Sequence, residues 1–153
     1  MNYRNIDDLN HCILQHLSIL PRDFDLIVGI PRSGMFPANL LALYLNLPVT
    51  DLDSFRNGHI YQTGERGKTF NMTHIRKVLV VDDSIATGNA INKCRTLLKA
   101  LNDNYEIKYC AIYSVPEHTR SVVIIHFETS GLSPFLPVEH NEPWNPEKSM
   151  FGY

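Results

Sequence analysis

Asp82 and Asp83 stand directly after Val78-Leu79-Val80-Val81, four apolar residues of which three are β-branched. Such a run reads as a strand buried on both faces, and its stop at two carboxylates puts chemistry at the strand's carboxyl end. A short turn, Ser84 to Gly88, comes next. Beyond it Ala90, Ile91, Cys94, Leu97, Leu98 and Leu101 are apolar at helical spacing, so the turn opens a helix. The N–H groups at a helix start lack partners within the helix, and the macrodipole adds partial positive charge, so this turn can hold a phosphate. The carboxylates suit the opposite part of a ligand. They can accept hydrogen bonds from ribose hydroxyls or join the water-rich oxygen shell that Mg²⁺ prefers. A phosphate cradle beside a diol acceptor describes a site for a sugar phosphate.

A second strand, turn and helix lies upstream. Asp25-Leu26-Ile27-Val28-Gly29-Ile30 reads as a buried strand, Pro31-Arg32-Ser33-Gly34 as a tight turn, and Met35 to Leu45 as part of a helix. A turn with a cation and an unhindered glycine suits an anion; the plainer alternative is an ordinary connection with a solvated Arg32.

The run Val78-Leu79-Val80-Val81-Asp82-Asp83-Ser84-Ile85-Ala86-Thr87-Gly88 resembles the 5-phosphoribosyl 1-diphosphate (PRPP) binding motif of the type I phosphoribosyltransferases. That resemblance implies a Mg²⁺-dependent transfer of the phosphoribosyl group from PRPP to a ring nitrogen of a small base, with release of diphosphate. It makes Asp82, Asp83 and Arg32 the catalytic candidates, with Asp82 and Asp83 holding the ribose hydroxyls directly or through metal-bound water. Pro31, Arg32, Ser33 and Gly34 match the loop that binds the diphosphate, which in the family commonly has a non-proline cis peptide; by position that bond lies between Pro31 and Arg32. Ser84, Ile85, Ala86, Thr87, Gly88, Asn89 and Ala90 would cradle the 5′-phosphate. Where the family usually has Gly or Lys and then Thr or Ser after Thr-Gly, Asn89 and Ala90 follow here, so one hydroxyl is missing and Thr87 with the backbone amides would carry that contact. Ala86 stands where the hypoxanthine-guanine enzymes have an Asp and is similar to the adenine and orotate enzymes. A proton acceptor would then be Glu65, Glu128 or the base itself.

The elements that must position these residues follow from the rest of the chain. Its 153 residues suit one domain. Asn5 can cap a helix with Asp7 and Asp8 in its first turn and an apolar stripe of Ile6, Leu9, Ile13, Leu17 and Leu20, ended by Pro21. Leu47 to Asp53 reads as a short strand. Residues 54–76 are unpatterned and match the family's lid over PRPP, with Arg66 and Lys68 as the cations that reach the diphosphate. Glu106 to Val115 and Ser121 to Phe127 are two more strands, joined by a connector too short for a crossover helix of typical length, so their relative direction stays open. Repeated strand-then-helix units make this an α/β fold with a mainly parallel sheet and helices on both faces. The family resemblance implies five strands in the order 2-1-3-4-5, with a small hood at 128–153 in which Trp144 could stack on the base.

Composition narrows the partners. The formal net charge is −2 and no Lys/Arg block occurs, so nothing points to nucleic acid. No apolar stretch nears the roughly 20 residues of a membrane helix, and the N-terminus is polar and acidic; no membrane association and a cytoplasmic protein are expected, and a homodimer. Cys12, Cys94 and Cys110 lie far apart in apolar patterns and read as buried thiols. Two competing functions are a PRPP-binding regulator without turnover and, because paired acids after a buried strand occur there too, a receiver or phosphatase module.

Overall fold

The computed structural model describes residues 5–61, 72–85, 89–101 and 103–114. Helix α1 (Ile6–His16) starts where the sequence places it. The Asn5 side chain accepts the Asp8 N–H at 2.9 Å, and the Asp8 carboxylate accepts the Asn5 N–H at 3.0 Å, a reciprocal cap that satisfies two otherwise unpaired donors. Leu9, Cys12 and Ile13 are buried; α1 stops at His16, short of the expected stripe, although Leu20 is still buried in the turns that follow.

Four strands alternate with helices: β1 (Leu26–Gly29), α2 (Met35–Leu45), β2 (Val49–Asp51), α3 (Leu52–Arg56), β3 (Lys77–Ile85), α4 (Asn89–Leu98) and β4 (Glu106–Ser114). They form one parallel sheet in the order β2-β1-β3-β4, which is the expected order as far as the described residues reach. The fifth expected strand, Ser121 to Phe127, lies outside them.

β1 and β3 are central, and their apolar residues serve two cores. On one face Ile27, Leu79 and Val81 pack with α1 and α2, through Ile13, Ala38 and Leu41. On the other, Leu26, Val28, Val78 and Val80 pack with α3 and α4, through Phe55, Ile91, Cys94 and Leu98. Burial on both faces explains why these strands read as unbroken apolar runs rather than as alternation.

Among the boundaries that differ from the sequence reading, two bear on the site. β3 does not end at Val81: its ladder with β4 continues through Asp82↔Ala111, Ser84↔Tyr113 and Ile85↔Ser114. Ser84 and Ile85 are therefore strand residues, and the connection to α4 is confined to 86–88. β2 is shorter than Leu47 to Asp53, because Asp51 ends it by capping α3; its Oδ1 accepts the N–H groups of Asp53 and Ser54, both at 2.9 Å. Helix α3 thus takes up the first residues of the stretch read as a lid, and Met72–His74 form a 3₁₀ turn at its far end.

Asp51 also accepts hydrogen bonds from the hydroxyls of Ser54 and Tyr61. Partial burial pushes its carboxyl up, but the bonds from Tyr61, Ser54 and Asp53 outweigh burial and hold it at about 2, below the ordinary 3.8. Its stabilising effect is therefore full above about pH 4 and is lost as pH falls toward 2. Asp51→Ala should cost about 1 kcal/mol at pH 7, with the gap to wild type closing on acidification. Thermal unfolding followed by circular dichroism across that range checks it; a gap independent of pH would mean that the charged cap is not the source.

Candidate functional site

Because β1 and β3 are parallel neighbours with Gly29 opposite Val81, the turns that follow them leave the same edge of the sheet. The Ile30 N–H donates to the Val81 carbonyl at 2.8 Å, carrying the pairing one step past the end of β1. The chain then turns through Pro31 to Gly34, with a cis peptide bond between Pro31 and Arg32, where the resemblance places it.

Gly34 sets how close this turn comes to β3. A Cβ there would stand 2.6 Å from the Ile30 carbonyl oxygen, 2.7 Å from that of Val81 and 3.0 Å from the Asp82 Cα. All three are backbone atoms with no side chain to swing aside. Its φ of −63° is one that any residue adopts, so closeness rather than conformation demands glycine.

Across this contact the side chains meet. The Ser33 hydroxyl donates to Asp83 Oδ1 at 2.9 Å, and the Asp83 N–H donates to Asp82 Oδ1 at 2.9 Å. Asp82 is only 6% exposed, whereas Asp83 and Ser84 are half-buried and Pro31, Arg32 and Ser33 are exposed. Burial pushes the Asp82 carboxyl up to about 6; the Asp83 N–H works against that and the Asp83 carboxylate beside it adds to it. Among the described residues no Lys or Arg pairs with either carboxylate, and no group of three or more His, Cys, Asp or Glu gathers that could cage a metal. The result is an acidic pair with no counter-ion among the described residues, beside an exposed turn that carries Arg32.

Asn89 and Ala90 lie exposed in the first turn of α4, just beyond the segment that leaves β3. Ala86, Thr87 and Gly88 fall outside the described residues, as do Arg66, Lys68, Glu65, Glu128 and Trp144. The three cysteines are buried and in no disulfide. Burial, with the nearby Asp82, pushes the Cys94 thiol up to about 12, and burial, with Cys12, does the same for Cys110. Both stay protonated at neutral pH and are poor nucleophiles. Sequence reasoning missed the Ser33 to Asp83 bond, which no spacing rule reveals across 50 positions. It also missed the Asp51, Ser54 and Tyr61 cluster at the tip of β2, on the same edge of the sheet. An Asp closing an apolar run was a cap signal that could have found it.

A family model for the phosphoribosyl transferase domain matches residues 2–130. The chain belongs to this family. A xanthine-guanine phosphoribosyltransferase of Chromohalobacter salexigens is 31% identical over 103 residues, 65% of this chain and 58% of that protein. The chain thus spans a little over half the length of that relative. Among solved structures, the xanthine-guanine-hypoxanthine phosphoribosyltransferase of Helicobacter pylori superposes with a TM-score of 0.53 at 14% identity, over 79% of this chain and 80% of that one. A purine phosphoribosyltransferase from Pyrococcus horikoshii gives 0.51 at 23%, over 74% and 77%. At these identities the two structures speak for the fold. With the family shown, the receiver and phosphatase readings of the acidic pair have no remaining support.

The Gly34 contact is open to a direct check. Gly34→Ala should force the turn away from β3 and cost roughly 1–3 kcal/mol, as overpacking does. The urea midpoint reads this, and an unchanged midpoint would show that the turn can yield without loss.

Proposed function

We propose that this phosphoribosyltransferase-family protein moves the 5-phosphoribosyl group of PRPP to a nitrogen of a small base and releases diphosphate. The observation that carries this reading is the meeting of the turn at 31–34 with the end of β3 at one sheet edge, through Gly34 on Val81 and Asp82 and through Ser33 on Asp83. The turn presents Arg32 and open backbone to an anion; the strand end presents two carboxylates. A pentose with phosphates at both ends suits that pair.

Displacement at the anomeric carbon builds positive charge on the ring and negative charge on the departing diphosphate, so holding and charge placement are what the chain must provide. Asp83, and Asp82 behind it, hold the ribose hydroxyls. Arg32 and the backbone of residues 31–34 receive the diphosphate, and the start of α4 with Thr87 receives the 5′-phosphate. The donor set fits Mg²⁺ bound mostly by water and substrate oxygens: two adjacent carboxylates, one raised by burial, that pair with no Lys or Arg among the described residues. Bound there, the ion supplies charge to the diphosphate.

The curated relative's name supports a purine as the first base to try, although Ala86 offers no carboxylate, which leaves Glu65, Glu128 or the base to handle the proton. Arg66 and Lys68 in the lid at 54–76 and Trp144 in the hood at 128–153 keep the roles assigned to them from the resemblance. Phe36 and Leu43, 61% and 77% exposed on α2, support a homodimer. Among the described residues no helix is long and apolar enough to cross a membrane; a cytoplasmic location and a single domain remain part of this reading from the sequence. The second reading, a PRPP-binding regulator, draws on Asn89 and Ala90, which stand where the family offers a hydroxyl.

Protein mixed with PRPP, Mg²⁺ and a panel of purines and pyrimidines should release diphosphate with at least one base. Binding of PRPP without release across the panel would favour the regulator, and no binding at all would sink both. Replacing Asp82 and Asp83 together by Asn should abolish PRPP binding with the circular dichroism spectrum unchanged. Arg32→Ala should weaken diphosphate about tenfold, as loss of a charge-assisted contact does, and ribose 5-phosphate far less; equal losses would place that turn elsewhere.

A further inference from the structure

Three contacts join the turn after β1 to the end of β3, and they do different things. The Ile30 N–H on the Val81 carbonyl and the fit of Gly34 fix backbone against backbone. Neither fixes the Asp83 side chain, whose terminal torsion is soft and roughly two-fold in an aspartate. Asp82 is held by burial and by the Asp83 N–H. The Asp83 carboxylate lies beside the Asp82 carboxyl on its own strand, and from across the site its Oδ1 accepts the Ser33 hydroxyl at 2.9 Å.

We propose that Ser33 is a positioning residue: its hydroxyl is committed to Asp83 Oδ1 rather than to the diphosphate, and it turns Oδ2 of that carboxylate toward the pentose. This rests on the transferase reading above and adds a division of labour to it. The turn that begins with Pro31 then does two jobs, receiving the diphosphate through its backbone and Arg32, and orienting through Ser33 the acid that holds the sugar. Its side chain at 33 acts on the ribose end of the ligand although it sits in the turn assigned to the other end.

The two roles for Ser33 predict opposite patterns. Titration calorimetry with ribose 5-phosphate and, separately, with inorganic diphosphate plus Mg²⁺ tells them apart. As a positioning residue, Ser33→Ala should weaken ribose 5-phosphate about fivefold, the worth of one hydrogen bond, and leave diphosphate within about twofold of wild type; Ser33→Thr, which keeps the hydroxyl, should restore the affinity. In an Asp83→Ala background, Ser33→Ala should make no further difference. Loss of diphosphate affinity with ribose 5-phosphate unaffected, or a full Ser33→Ala effect persisting without the Asp83 carboxylate, would overturn the role. Wild-type protein that ignores PRPP would instead remove the transferase reading itself, so the two failures are distinct.

Discussion

The site depends on a backbone contact that only a hydrogen atom at position 34 allows. Parallel pairing of β1 with β3 brings the carboxyl ends of both strands to one edge, but pairing alone leaves them a strand's width apart. The further approach comes from Gly34, whose missing Cβ would otherwise meet two carbonyl oxygens and the Asp82 Cα within 3.0 Å. Gly29 does the same for the helix behind it, since a Cβ there would stand 2.5 Å from the Met35 sulfur and 3.0 Å from the Ala38 Cβ. The two glycines let α2 and its leading turn settle onto the sheet together.

That contact places charge where the fold would not by itself choose it. Asp82 sits at the edge of a core formed by Val80, Ile91 and Cys94, and burial raises its carboxyl to about 6. Raised above the ordinary 3.8, it favours folding only while protonated; the penalty sets in as pH climbs past about 4 and is complete beyond about 6. At neutral pH the charged Asp82 carboxylate therefore works against the fold. A bound cation or a pair of hydroxyl donors relieves that penalty, and the relief is itself part of the ligand's binding energy. Strain of this kind, kept at a functional site and offset by packing elsewhere, is a usual place for local rules to fail.

What could be read from the sequence follows what is local. The cap at Asn5 and Asp8, the buried runs of β1 and β3 and the apolar face of α4 need only neighbours in the chain, and each lies where its residues imply. The end of β3 was misplaced because two carboxylates look like a stop, whereas the continuing ladder with Ala111 to Ser114 makes them strand. Helix α3 went unseen because five residues give too little periodicity, so its only mark was the Asp51 cap. Strand order came from family resemblance, since no single strand carries the information about its neighbour. The Ser33 to Asp83 bond is a tertiary event and left no trace in either segment.

Why the chemistry gathers between β1 and β3 follows from the order of the sheet. From β1 the chain crosses through α2 on one face to reach β2 on one side; from β3 it crosses through α4 on the opposite face to reach β4 on the other. The two strands therefore hand the chain to opposite faces, and in sheets of this kind the ligand binds where strand order reverses. At that point the Ser33 hydroxyl already reaches the Asp83 carboxylate, and β3 runs on to Ile85 so that its acidic pair is carried by a supported strand rather than by a loop. A carboxylate on a paired strand has its backbone fixed before any ligand arrives. Only its side-chain torsions are left to set, and the Ser33 hydroxyl on the facing turn already holds one of its oxygens.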